Sequence, residues 1–213
     1  MLKLLITLIC VRPRMPELTD SSLPLYEGIQ LDDVRLVQST ADADIALETL
    51  MATDALGFDN ESKPTFAKGE LSTGPHLIQL ATDDKAYLFP ITGRLTLETL
   101  RVILESPQVL KVGFGLRDDL LRLQTKLGIA GVHILDLAIA LRQEKRVDVG
   151  AKTAVARFFG QRMQKSKRTS TTNWSKPFLT DRQMLYAAND AHVALRVYRA
   201  WQTSSASLTA TGA

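Results

Sequence analysis

Apolar residues recur along this chain with two different periods, which predict an alternation of strands and helices. Short apolar runs bounded by turn residues predict strands within 29–38, 55–62, 76–82, 85–91, 109–114 and the first residues of 133–143. Apolar residues three or four positions apart predict helices over 40–51, 96–105, 116–128, 151–159 and 180–202, and in the second half of 133–143. Strands that open the chain and later alternate with helices favour one α/β domain with a mixed sheet.

The two ends of the chain lack this periodicity, and we expect neither to belong to the folded domain. The apolar run from Leu4 to Val11 is much shorter than the roughly 20 residues that a membrane span requires. Two arginines follow this run where a secretory signal would be cleaved. We therefore predict a cytoplasmic protein without membrane contact, with a flexible extension over 1–28, a folded domain over 29–203 and a disordered tail over 204–213.

The distribution of charge along the chain suggests a candidate binding partner. The net charge is only +3, but residues 15–100 carry 15 acidic and 5 basic side chains, whereas residues 101–213 carry 8 acidic and 18 basic ones. Nine of the lysines and arginines lie between Arg142 and Arg168. A strongly basic half suits a polyanionic partner, of which nucleic acid is the commonest. A solvated surface with an uneven charge split explains the same counts equally well.

Two acidic residues end the predicted strand at 55–62. In the sequence GFDNES, Asp59 and Glu61 are two positions apart, so both carboxylates leave the same face of a strand. Two carboxylates on one face repel each other unless a cation neutralises them. Mg²⁺ prefers oxygen ligands, including one or two carboxylates. The D-x-E pair alone is weak evidence for a metal site, because it arises often by chance.

Two further stretches carry carboxylates that could join this pair. In KVGFGLRDD, Asp118 and Asp119 lie in the first turn of a predicted helix. They point about 100° apart, so only one can easily face an inward site, and periodicity leaves the choice open. In LYAANDAHVAL, Tyr186 and Asp190 share one face of the last helix. Asp190 lies among alanines, where a partly buried carboxylate needs a partner, although a core tyrosine with an exposed acid is the simpler interpretation.

Together these stretches resemble the three exonuclease motifs of the DnaQ-like (DEDD) superfamily. The motifs are FDNES, KVGFGLRDD and NWSKPFLTDRQMLYAANDAHVALRVYRAW, and the segment PHLIQLATDDKAYLFPI also fits. The Y-x-x-x-D spacing of the third motif indicates the DEDDy branch, which includes ribonuclease D and the exonuclease domain of the Werner-syndrome helicase. The resemblance spans about residues 30–202 and is especially close to the Werner type in the third motif. It implies a ribonuclease H-like (DnaQ-like) mixed sheet of five to six strands, flanked by helices.

The resemblance also implies a set of site residues and a mechanism. Two Mg²⁺ or Mn²⁺ ions would be bridged by Asp59; Glu61 and Asp190 would complete the ligands of one ion, and Asp119 would hold the other. Tyr186 would orient the attacking water or help to deprotonate it. The product would be a nucleoside 5′-monophosphate released from a 3′ end. A histidine, His192, stands where the family often has tyrosine, and we expect it to be structural.

Nucleic-acid contacts are expected along the basic stretch. Lys165, Lys167 and Arg168 would follow the phosphate backbone of an entering strand. Phe66 and Trp174 are candidates for stacking on bases, although packing within a loop explains each at least as well and is favoured for Trp174. We expect a stand-alone Werner-like exonuclease acting on DNA. RNA trimming of the ribonuclease D or oligoribonuclease kind is the alternative, and a catalytically silent nucleic-acid-binding module is less favoured.

Overall fold

A mixed sheet of six strands forms the centre of the molecule in the computed structural model, which describes residues 22–65, 69–70, 72–91 and 94–210. The strands are β1 Val34–Leu36, β2 Ala55–Glu61, β3 Leu77–Ala81, β4 Ala86–Pro90, β5 Leu110–Gly113 and β6 Ile134–Asp136. The helices are α1 Thr40–Met51, α2 Arg94–Leu104, α3 Arg117–Arg122, α4 Leu137–Ala140, α5 Ala151–Phe159, α6 Lys167–Ser170 and α7 Asp181–Ala210. The predicted fold class is confirmed.

The strand order is β1-β4-β3-β2-β5-β6. Strands β2, β3 and β4 pair antiparallel, and the pairs β1–β4, β2–β5 and β5–β6 are parallel. Local signals fix the ends of two helices. The Ser39 hydroxyl accepts from the Asp42 amide at the start of α1, and the Thr180 hydroxyl accepts from the Gln183 amide at the start of α7. Both predicted helix starts are therefore confirmed.

Helices cover both faces of the sheet, and strand β2 divides its side chains between them. Leu56 and Phe58 pack with α1 and α2 on one face. Ala55, Asp59 and Glu61 alternate with them and therefore point to the opposite face, where α7 lies. The same alternation that buries an apolar row on one side thus delivers two carboxylates to the other.

Gly57 allows α7 to approach β2 closely. A Cβ atom at this position would lie 2.0 Å from the carbonyl oxygen of Ala191. The facing residues of α7 are small and fully buried, namely Ala187, Ala188 and Ala191. Because helix and strand are this close, Asp190 on α7 reaches the carboxylates that extend from β2.

Both ends of the described chain differ from the prediction. Residues 22–28 are packed rather than flexible: the Tyr26 ring stacks on Phe159 at 5.9 Å, and the Tyr26 amide donates to the carbonyl of Arg162. Residues 1–21 lie outside the described residues. At the other end α7 continues through Ala210, so the predicted disordered tail is corrected over 204–210. No glycine or proline interrupts that stretch, and the hydroxyls of Ser204 and Ser205 donate to carbonyls one turn earlier.

Two internal elements also differ. The predicted strand at 29–38 is reduced to β1, because residues Leu31–Asp33 form a 3-10 turn in which the Asp33 amide donates to Gln30. The predicted helix at 116–128 is α3 followed by a π-helical turn over Leu123–Leu127, which ends at Gly128 with a φ of 64°. Within the part of the chain that the structure describes, no helix has the length and apolar character needed to cross a membrane.

Candidate active site

Three carboxylates converge where β2 ends beneath α7. Asp59, Glu61 and Asp190 each offer an oxygen atom, and these atoms lie within 4.8 Å of one another. Asp190 is buried, with 5% of its side chain exposed, and the other two are half-buried. Residues 59 and 190 are far apart in sequence, so the cluster depends on the docking of α7 against β2.

The cluster is electrostatically strained. Burial, and then the charge of Asp190, raises the pKa of Asp59 to about 8, although Lys165 opposes this. Burial and the charge of Asp59 raise the pKa of Glu61 to about 9. The pKa of Asp190 is raised by burial, against the stabilising effect of Lys165. When carboxylates are crowded in this way, their mutual repulsion makes it costly to ionise all of them. A bound cation lowers that cost.

The all-oxygen donor set fits a divalent cation of the Mg²⁺ or Mn²⁺ type. Asp59, Glu61 and Asp190 are close enough to share one ion, and their raised pKa values are those expected of carboxyls arranged to meet a cation. The geometry therefore fits the metal that the sequence predicts. The choice between Mg²⁺ and Mn²⁺ stays a prediction.

Asp119 lies beside this cluster, and its neighbour Asp118 does not. The charge of Asp119 contributes to the raised pKa values of both Asp59 and Glu61. Its side chain is 15% exposed and accepts a hydrogen bond from Arg122 at 2.8 Å, whereas Asp118 is exposed. In the structure Asp119 faces the cluster and Asp118 does not, which decides the choice that periodicity left open. Asp119 is not one of the three carboxylates that lie within 4.8 Å of one another.

Asp136 positions the start of α3, and sequence reasoning missed it. Its carboxylate accepts from the amides of Gly115 and Leu116, each at 2.9 Å, and also from Ala138. Gly115 has a φ of 70°, which a residue with a side chain rarely adopts. The carboxylate thus fixes the turn from which Asp119 projects. The position of Asp136 between a strand and a helix is a capping signal that the sequence offered. Its hydrogen bond to the amide of Gly115 could not be predicted from the sequence.

Tyr186 projects toward the acid cluster from the turn of α7 that precedes Asp190. Burial raises the pKa of its phenol, and the charges of Asp190 and Glu61 add to the effect. The hydroxyl can donate a hydrogen bond, which suits the predicted role of orienting a water molecule. The other predicted role, helping to deprotonate that water, stays a prediction.

Trp174 is a packing residue beneath Tyr186. It is 2% exposed, its ring lies 6.0 Å from that of Tyr186, and its indole nitrogen donates to the Ser170 carbonyl. The burial of this ring agrees with packing, the interpretation favoured for Trp174, and not with stacking on bases. His192 is buried with Nε2 2.9 Å from the Asp83 carbonyl oxygen, away from the cluster, which agrees with a structural role.

The three basic residues predicted to contact nucleic acid lie in two different environments. Lys167 and Arg168 are exposed on α6, where they can meet a solvent-borne partner. Lys165 instead enters the acid cluster, with Nζ 2.9 Å from Asp190 Oδ1. Phe66 lies outside the described residues.

A cavity of about 260 Å³ adjoins the cluster, and its lining includes Lys165, Arg182, Tyr186, Asn189 and Asp190.

The raised carboxyl pKa values predict an unusual pH dependence of stability when metal is removed. Between pH 7 and pH 9 the folded protein holds protons on Asp59 and Glu61 that the unfolded chain, with carboxyl pKa values of about 4, has already released. The free energy of unfolding in EDTA should therefore fall as pH rises through this window. Thermal unfolding at pH 7, 8 and 9 measures it.

Saturating Mn²⁺ should reduce or reverse that fall, because the ion binds the deprotonated carboxylates of the folded state. The double variant Asp59→Asn, Glu61→Gln has no such carboxyls and serves as the control. Its stability should change little over the same range. A wild-type protein in EDTA that gains stability from pH 7 to pH 9 relative to this control would contradict the electrostatic description of the cluster.

Comparison with known proteins identifies the family. A sequence model described as a 3′–5′ exonuclease matches residues 34–204. The chain is 28% identical over 149 residues to mouse "Bifunctional 3′-5′ exonuclease/ATP-dependent helicase WRN", which covers 68% of this chain and 11% of that protein. It is 30% identical over 169 residues to ribonuclease D of Bartonella henselae, covering 78% of this chain and 40% of the relative. The chain thus spans a minor part of both relatives.

Solved structures share the fold. The Aedes aegypti Nibbler EXO domain superposes with a TM-score of 0.69 at 26% identity and covers 82% of this chain and 90% of its own. Escherichia coli RNase D superposes with a TM-score of 0.66 at 22% identity, covering 81% of this chain and 46% of its own, and supports the fold alone. Together with the family match over residues 34–204, these likenesses show that the chain belongs to the 3′–5′ exonuclease family of the DnaQ-like superfamily.

Proposed function

We propose that this chain hydrolyses phosphodiester bonds at the 3′ end of DNA and releases nucleoside 5′-monophosphates. The observation that carries the proposal is the convergence of Asp59, Glu61 and Asp190 within 4.8 Å, next to Tyr186, in a chain of the exonuclease family. Carboxylates arranged in this way suit phosphoryl transfer, in which positioning and charge stabilisation supply most of the catalysis.

The acids would hold the divalent ions on which the activity depends. Asp59, Glu61 and Asp190 would hold one Mg²⁺ or Mn²⁺, and Asp119 would take part in holding a second with Asp59. When bound, such ions lower the pKa of a water nucleophile and stabilise the leaving 3′ oxygen. Arg122 donates to one carboxylate oxygen of Asp119, so the other oxygen could take part in holding an ion.

Tyr186 would orient the attacking water. Burial and two neighbouring carboxylates raise the pKa of its hydroxyl, which would donate a hydrogen bond to the water or help to deprotonate it. The Trp174 ring packs against Tyr186 and limits the rotamers of the phenol. A water held in line with the scissile bond makes the attack effectively intramolecular.

Positive charge near the cluster supports a polyanionic substrate. Lys165 and Arg182 line the cavity beside Asp190, and Lys167 and Arg168 are exposed on the neighbouring helix α6. We propose that the strand entering the site passes α6, with its phosphates near these two exposed cations. Binding should therefore weaken steeply as the salt concentration rises.

RNA is the second candidate substrate. One relative is named ribonuclease D, and the Trypanosoma brucei RNase D solved in complex with RNA U12 has the same fold, with a TM-score of 0.69 at 20% identity. DNA remains our first proposal because the third motif is especially similar to the Werner type. A catalytically silent binding module is disfavoured, because all four acids and Tyr186 lie at or beside one site.

A matched substrate panel tests the proposal. Single-stranded and duplex DNA and RNA of one sequence, each labelled at the 5′ end, would be incubated with the protein and Mg²⁺ or Mn²⁺. DNA should shorten one nucleotide at a time from its 3′ end, faster than RNA. Faster shortening of RNA would show that RNA, and not DNA, is the preferred substrate. Tight binding without shortening of either would establish the silent module instead.

A further inference from the structure

Lys165 occupies the place in the acid cluster where a cation is needed. Its ammonium nitrogen lies 2.9 Å from Asp190 Oδ1, and 32% of its side chain is exposed, compared with 5% for Asp190. The ammonium group also lies near Asp59 and Glu61, so it faces the same three carboxylates that form the candidate metal site.

An ammonium group and a divalent ion would compete for the carboxylate of Asp190. A divalent ion of the Mg²⁺ type binds carboxylate oxygens at about 2.0–2.1 Å and requires its own coordination shell. An ammonium group 2.9 Å from Asp190 Oδ1 competes with such an ion for this carboxylate, because the two positive charges repel each other. Lysine offers only one charge to three carboxylates, so a divalent ion neutralises the cluster more completely.

The segment that carries Lys165 is fixed on both sides, while the side chain itself has room to move. Arg162 donates its amide to the Pro24 carbonyl at 2.7 Å, and Ser166 caps α6 and accepts from Arg182. Lys165 also lines the 260 Å³ cavity beside the cluster. Its flexible four-carbon stem can therefore swing from Asp190 toward this cavity without unfolding the segment.

We propose that Lys165 is the resident counter-cation of Asp190, and that a divalent ion binds this cluster only by displacing it. The lysine stabilises the carboxylates when no metal is bound and sets the concentration of metal at which the site fills. After displacement the ammonium group stays at the rim of the cavity, within reach of a phosphate that enters with substrate. This last consequence rests on the proposed function, whereas the displacement by metal does not.

The experiment is a titration with Mn²⁺ alone, without nucleic acid. Calorimetry or electron paramagnetic resonance at one fixed pH under argon would compare wild type with Lys165→Met. The variant should bind Mn²⁺ on the order of tenfold more tightly, because the competing ion pair is gone. Lys165→Arg keeps the charge and should bind no more tightly than wild type. Lys167→Met, two residues away and exposed, should match wild type.

Equal or weaker Mn²⁺ binding by a folded Lys165→Met protein would overturn the proposal. If that variant does not fold, amine labelling of the wild-type protein decides instead. Mass spectrometry should show that Mn²⁺ increases the labelling of Lys165 at least severalfold while that of Lys167 is unchanged. Labelling of Lys165 that Mn²⁺ leaves unchanged would overturn the proposal equally. Neither measurement involves turnover, so failure of the proposed exonuclease activity would not be confused with failure of this inference.

Discussion

Replacing Asp119 with alanine should lower the turnover number by about 1000-fold or more, whereas Asp118→Ala should stay within about twofold of wild type. Asp119 is turned inward, and its charge reaches Asp59 and Glu61, so we expect its loss to remove a metal ligand. Asp118 lies on the same helical turn but is exposed, which makes it a matched control. The measurement is steady-state release of mononucleotides from a labelled oligonucleotide at saturating Mn²⁺.

A large loss of turnover in Asp118→Ala with little loss in Asp119→Ala would show that the second motif is aligned one residue out of register. Comparable losses in both variants would show that the start of α3 tolerates no change, and that the effect is structural. Thermal unfolding in EDTA separates this outcome from a direct role, because a structural effect would destabilise both variants strongly, whereas Asp119→Ala should lose only its hydrogen bond with Arg122.

Tyr186→Phe should lower the turnover number by about 100-fold and leave the Michaelis constant within about threefold of wild type. The substitution removes only the hydroxyl, and the ring that packs against Trp174 remains. A group that orients water acts in the chemical step and contributes little to substrate binding, so the loss should appear in turnover. Rapid-quench kinetics under single-turnover conditions would assign it to that step.

Tyr198→Phe is the matched control, because Tyr198 lies on the same helix and its hydroxyl accepts only from Gln202 among the hydrogen bonds described. This variant should retain wild-type turnover. Full activity in Tyr186→Phe would contradict a water-orienting role for the phenol. A loss confined to the Michaelis constant would assign Tyr186 to substrate binding instead.

Periodicity predicted most of the fold because its signals are local. Strands β3 and β4, helices α1 and α7, and the shared face of Asp59 and Glu61 each follow from residues a few positions apart. What periodicity could not predict is which element lies over that face. The close approach of α7 depends on Gly57 meeting Ala191, and no local pattern connects these two positions.

The unpredicted parts of the site come from long-range contacts of loops. Lys165 enters the acid cluster because the segment around it is tied to residues 24–26, and Asp136 fixes the turn at Gly115 across the sheet edge. The sequence around Trp174 favoured packing over base stacking, and the burial of the ring against Tyr186 agrees with packing. The motif resemblance supplied the choice of Asp119, which the orientation of the side chain in the structure supports.

We propose that Asp59, Glu61, Asp119 and Asp190 form one metal-dependent site that removes nucleotides from a 3′ end. The most direct test incubates a 3′-labelled single-stranded DNA with the protein and Mn²⁺ and identifies the released product by chromatography. We predict nucleoside 5′-monophosphate as the first labelled product, none in EDTA, and none from the Asp59→Asn, Glu61→Gln variant. Release that persists in EDTA or in this variant, or a first product longer than one nucleotide, would contradict the account.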